Sequence, residues 1–98
     1  MIRHTVSFRL KHPRGSAAEL AFLQAVRELV KIPGVERFEC LRQTSPKSDY
    51  AFGLSMEFAT PAAYEGYNRH PDHVSLVQQR WIPEVEKYIE LDYEPFGR

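Results

Sequence analysis

The chain is short of several things, and each shortage closes off a class of protein. It has a single cysteine, Cys40, so no disulfide can form within it, which is compatible with a reducing compartment. It has no surplus of charge: 13 Lys and Arg stand against 13 Asp and Glu. A nucleic-acid binder normally carries a basic excess that pairs with phosphates. The short segment from Leu10 to Arg14, with Lys11 and Arg14, does not supply one, so no nucleic-acid partner is expected. No apolar run approaches the ~20 residues of a membrane span, so no membrane partner is expected. The N-terminus enters a charged, alternating pattern from Arg3 to Arg9 with no signal-peptide h-region, and the expected location is cytoplasmic. No glycine-rich phosphate loop is present.

What is there reads as one domain over residues 1–98, with 43% hydrophobic and 27% charged residues, an ordinary balance for a globular chain. A domain this small buries a modest share of its surface, and association with a second copy is one common remedy. Ile2, His4, Val6, Phe8 and Leu10 alternate with Arg3, Thr5, Ser7 and Arg9, which predicts a strand with one apolar face. Ser16-Ala17-Ala18-Glu19 matches a capping box, and Phe22, Leu23, Val26, Leu29 and Val30 follow at helical spacing until Pro33-Gly34. Val35 to Arg42 is rich in strand formers, with Phe38 and Cys40 on one face. Tyr50 to Phe58 alternates cleanly. Thr60-Pro61 opens a second helix carrying Tyr64 and Tyr67, and Pro71 starts a further helical piece to about Trp81. Lys87 to Tyr93 alternates again, and the tail Glu94 to Arg98 is expected to be loosely held.

This order, β-α-β-β-α-β, predicts an α+β domain with one sheet under one helical layer. The apolar strand faces would pack on the helices, with Ile89, Leu91 and Tyr93 among them. The other face would show Arg3, Thr5, Ser7, Arg9, Ala51, Gly53, Ser55, Glu57, Glu90 and Asp92. Such a face is either solvated or set against a second sheet, and pattern alone leaves both open.

The chemistry-bearing residues are the histidines. His4 lies on the apolar face of the first strand, where a hydrogen-bonded core role competes with a catalytic one. Tyr67-Asn68-Arg69-His70-Pro71-Asp72-His73 is the denser signal. His73 shares a helix face with Val77 and should point toward the core, where burial and a helix N-terminus favour the neutral imidazole a general base needs. The competing reading is a helix-capping His70 and a His73 bonded to backbone. His70 and His73 have i, i+3 spacing, but no third ligand completes a metal motif, and neither a metal nor another cofactor is expected. Cys40 has no base placed beside it and reads as a small strand hydrophobe.

Three stretches, Ile2 to Leu10, Tyr67 to Val74 and Leu91-Asp92-Tyr93, resemble the stress-responsive A/B-barrel family, Dabb. The His-Pro-x-His segment is the most specific of them. The resemblance implies a ferredoxin-like βαββαβ subunit with a four-stranded antiparallel sheet and a homodimer forming a dimeric α/β barrel. In a plant polyketide cyclase of that family the catalytic Tyr/His pair falls on Tyr67 and His73, and a first-strand pocket His on His4. Phe8, Phe22, Val26, Phe52, Leu54 and His70 would then line a pocket for a small apolar or aromatic ligand. Two functions follow from the resemblance: a stress-responsive, ligand-binding dimer without catalysis, or a cofactor-free enzyme of cyclase, isomerase or monooxygenase type.

Overall fold

The structure is a computed structural model and describes residues 1–97. β1 (Ile2–Leu10) buries His4, Val6, Phe8 and Leu10 in strict alternation. Helix α1 (Ala17–Arg27) starts on Ser16, whose hydroxyl accepts from the Glu19 amide at 3.1 Å. The return bond of the capping box is not made. The Ser16 amide donates to the Pro13 carbonyl, and Glu19 accepts from the Gly15 amide at 3.1 Å instead. Gly15, at φ 78°, turns its N–H into reach of that carboxylate. α1 tightens into a 3-10 turn over Glu28–Lys31, and the change of pitch moves the apolar stripe. Phe22, Val26 and Leu29 are buried, but Val30 is half exposed, and Ile32 occupies the core in its place.

β2 (Glu36–Arg42) explains its own broken alternation. A bulge lies between Glu36 and Glu39, with Arg37 at φ 49°. β3 (Phe52–Phe58) buries Phe52, Leu54, Met56 and Phe58. α2 (Pro61–Arg69) is capped by Thr60, which accepts from the Ala63 amide at 3.1 Å. His70 is extended, as a residue before proline prefers, and α3 (Pro71–Leu76) starts afresh. Val77–Trp81 is a wide π turn, in which Ile82 N–H donates to the Val77 carbonyl. Pro83 follows at once; it has no N–H to offer, and its ring crowds the carbonyl four residues back. A short α4 (Ile82–Glu84) leads into β4 (Val85–Tyr93).

The strands form one antiparallel sheet in the order β2-β3-β1-β4, with the helices on one face. The expected barrel is corrected here: among the described residues the sheet is open, with β2 and β4 as free edges. Four twisted strands turn too little to meet, since even small closed barrels take about eight.

A second correction concerns β4. Residues paired directly across antiparallel strands share a face. The register sets Phe8 against Tyr88, Val6 against Glu90 and His4 against Asp92, while Arg3, Thr5 and Ser7 oppose Tyr93, Leu91 and Ile89. Tyr88, Glu90 and Asp92 therefore lie on the helical side, and Ile89, Leu91 and Tyr93 are exposed on the open face. The cause is a register shift at Arg9/Leu10: Leu10 pairs with Val85 but Arg9 with Lys87, leaving Glu86 as an extra residue. A one-residue slip inverts every later side chain. Ala51, expected on the open face, is buried in the core and donates its N–H to the Phe8 carbonyl at 3.0 Å.

The core divides in two. Phe8, Leu10, Phe22, Val26, Ala51, Phe52, Leu54 and Val85 pack at one end. Leu29, Ile32, Met56, Phe58 and Tyr67 pack at the other. Beyond β4 the residues through Gly97 are exposed, Phe96 fully so, and Arg98 of the expected loose tail lies outside the described residues. No described helix is long and apolar enough to cross a membrane.

Candidate functional site

A cavity of about 240 Å³ opens between the sheet and the helices. His4, Val6 and Leu54 form its sheet wall. Tyr67 enters from α2, His73 and Leu76 from α3, Val77 and Trp81 from the wide turn, and Tyr88 and Glu90 from β4, with Leu29 closing one side. The three residues singled out from sequence, His4, Tyr67 and His73, thus come from three elements to one space.

His73 is placed by the break at Pro71. In an unbroken helix the Asn68 carbonyl would accept from residue 72. Here the Asp72 amide donates to His70 Nδ1 at 3.1 Å, and His73 Nδ1 stands 3.1 Å from the Asn68 carbonyl. A carbonyl only accepts, so Nδ1 carries the proton and Nε2 keeps its lone pair. Burial pushes the His73 pKa below the usual 6.5, with His4 adding to the effect, against the opposing Asn68 bond and Glu90. The ring is therefore neutral at neutral pH. It packs 4.5 Å, centroid to centroid, from the Tyr67 ring. Tyr67 is buried, and its phenol is pushed well above its ordinary pKa by burial and then by Glu90, so it remains a neutral donor.

His4 is held differently. Its Nδ1 lies 2.6 Å from Asp92 Oδ1 and 2.8 Å from the Tyr64 hydroxyl, and that hydroxyl donates to Asp92 Oδ2 at 2.8 Å. Tyr64 is likewise held in its neutral form, by burial first and then by Asp92.

The remaining expected site residues are dispersed. Leu54 lines the cavity. Phe8, Phe22, Val26 and Phe52 fill the packed core instead, with Phe8 5.8 Å from both Phe22 and Phe52. His70 caps α3 through Nδ1 and does not line the cavity. Among the described residues no three His, Cys, Asp or Glu side chains converge as a group that could hold a metal ion. Sequence reasoning missed Tyr64, Trp81, Tyr88, Glu90 and Asp92. The one available signal was the Glu90-x-Asp92 spacing, two carboxylates on one face of a strand with apolar residues on the other.

Fold and site together define a ferredoxin-like α+β protein with a cavity between sheet and helices, tipped by histidine and tyrosine. The model of the Dabb family, the stress responsive A/B barrel domain, matches residues 2–95, and the chain belongs to that family. It is similar to a Dabb family protein with a ferredoxin-like fold from Mesorhizobium loti, at 60% identity over 98% of this chain and 97% of that one, with a TM-score of 0.94. A dimeric protein of unknown function from Bacteroides fragilis matches at 22% identity, covering 96% and 95% of the two chains, with a TM-score of 0.74. The hydroxynitrile lyase of Passiflora edulis matches at 17% identity, covering 99% and 94%, with a TM-score of 0.84. These last two likenesses are of fold alone. A comparison with curated proteins found no match.

Proposed function

We propose that the protein is a cofactor-free enzyme that removes a proton from the carbon beside a carbonyl in a small apolar or aromatic substrate. The observation that carries this is the pairing, in one cavity, of a half-buried neutral His73, whose Nε2 has no hydrogen-bond partner among the described residues, with a Tyr67 held in its protonated form. His73 Nε2 takes the C–H proton, and the electron pair moves onto the carbonyl oxygen. Tyr67 donates to that oxygen, where a fixed donor acts on charge as it develops. Protonated His73 then returns the proton. At about 240 Å³ the cavity lies below the ~300–1,000 Å³ of drug-sized pockets, which favours a compact substrate. A fold that also serves a hydroxynitrile lyase is compatible with small-molecule lyase or isomerase chemistry.

The test is deuterium uptake at the α-carbon of aryl methyl ketones and short β-diketones in D2O, followed by proton NMR. Wild type should accelerate uptake on at least one compound, and His73→Gln should abolish the acceleration. Equal rates in both would overturn the assignment. Saturable binding of the same compounds without any uptake would favour the non-catalytic, ligand-binding reading.

We also infer a homodimer built on the open face. Ile89, Leu91 and Tyr93 are exposed there beside the small Ser7, Gly53 and Ser55, and Arg3 pairs with Glu57 at 3.1 Å. The similar Bacteroides fragilis protein is dimeric. Sedimentation should give twice the 11.4 kDa chain mass, and Leu91→Arg should halve it. A wild-type monomer at micromolar concentration would refute the assignment.

A further inference from the structure

We infer that Asp92 is a positioning residue that fixes His4 as a second proton-handling group in the cavity, across from His73. The chemical use made of His4 rests on the carbonyl reading above, but the geometry stands without it. His4 is 4% exposed, and a buried imidazole needs partners for its nitrogens. A carboxylate can only accept, so the 2.6 Å contact to Asp92 Oδ1 puts the proton on His4 Nδ1. Tyr64 donates to the other carboxylate oxygen at 2.8 Å, which orients Asp92 from a third element. The nitrogen left for the cavity is Nε2.

His4 and His73 therefore present the same atom to the same space by different means. Behind His73 Nδ1 stands a neutral carbonyl, and behind His4 Nδ1 stands a carboxylate. The first favours an imidazole that takes a proton. The second stabilises an imidazolium as it forms and holds the ring in one tautomer. The titratable groups around His4 are Asp92 and Glu90 of β4, Tyr64 and Tyr67 of α2, and His73 of α3.

Two such groups suit a substrate that loses a proton at one atom and gains one at another, as in shifting a double bond conjugated with a carbonyl. His73 Nε2 takes the α-proton and becomes cationic, and the electron pair of the broken C–H bond forms a C=C to the carbon bearing oxygen. His73 passes that proton through water in the cavity to His4 Nε2, where Asp92 stabilises the imidazolium as it forms; His4 then gives the proton to the far carbon as the enolate collapses, and both rings end neutral.

The experiment reads the tautomer of His4 by long-range proton–nitrogen NMR in the full chain at pH 8, with no substrate. Wild type should show the Nδ1–H form, and Asp92→Ala should move His4 to a mixture or to the Nε2–H form. On any β,γ-unsaturated ketone whose double bond wild type shifts into conjugation, Asp92→Ala should lower the turnover number tenfold or more with little change in KM. A wild-type spectrum showing Nε2–H overturns the inference without any variant. An unchanged tautomer and unchanged turnover in folded Asp92→Ala overturn it as well. Absence of deuterium uptake by wild type would count against the carbonyl reading alone, because the tautomer still decides the role of Asp92.

Discussion

The two ends of the helix–sheet interface solve the same problem differently. At one end Phe8, Phe22 and Trp81 close on each other, with ring centroids 5.0–5.9 Å apart, and Phe8 and Phe22 are fully buried. At the other end Tyr64, Tyr67, His4 and His73 also stack, at 4.5–6.5 Å, but their polar atoms leave a space open between them. Aromatic density is similar at both ends. What differs is that Phe8 and Phe22 carry no polar tips, and Trp81, with its one indole N–H, stands at the border with the cavity, whereas the other rings must keep their tips hydrogen-bonded or facing that cavity, and so cannot close. Apolar size in the sequence marks the dry end, and polar aromatics mark the wet one.

That contrast can be broken by substitution. Phe22→Ala at the filled end should cost about 3–5 kcal/mol of stability by denaturant unfolding, since the neighbours cannot collapse into the gap. Leu76→Ala, on the cavity wall, should cost distinctly less, and an equal cost would erase the distinction between the ends. Tyr67→Phe should lower deuterium uptake by about 10²-fold while changing stability by less than ~1 kcal/mol, because the lost hydroxyl acts on substrate and not on the fold. His73 supplies a pH signature. Burial lowers its pKa below 6.5, so the unfolded chain binds the proton more readily. The stability contribution of neutral His73 is complete above pH 6.5 and falls as pH is lowered from there through the folded-state pKa. Urea unfolding at a series of pH values should show this fall in wild type and a shallower one in His73→Gln. The smallest effect is expected at Val30, where Val30→Lys should stay within ~0.5 kcal/mol although the helical periodicity places it in the core stripe.

Much of the fold was legible because local signals agreed with one another. Strict alternation marked β1 and β3, Ser16 and Thr60 marked helix starts, and Pro71 marked the break that places His73. The failures have physical causes. Val30 was misplaced because periodicity assumes a constant pitch, and the 3-10 turn after Arg27 changes it. β4 was inverted because Lys87 to Tyr93 carries large side chains at both parities, so the pattern could not report the bulge upstream. The open sheet differs from the expected barrel because closure is a property of strand edges, which composition does not encode. In the site, Tyr67, His73 and His4 stood out by residue type. Asp92 and Glu90 were hidden by the inverted strand, and Phe8, Phe22, Val26 and Phe52 were assigned to the pocket because bulk alone cannot distinguish a wall from a plug.

Glu86, the residue left without a partner in the β1–β4 register, has a reach beyond local geometry. Because it is followed by an unbroken run to Tyr93, one added backbone unit decides at once which groups the cavity receives and which the exterior receives. Excising it would carry Glu90 and Asp92 outward and draw Ile89, Leu91 and Tyr93 inward, so that acidity in the cavity and oiliness on the outer surface would vanish together. The proposed proton chemistry and the proposed self-association are thus not independently adjustable in this strand; an insertion or deletion at that point would trade one complete set of properties for its mirror.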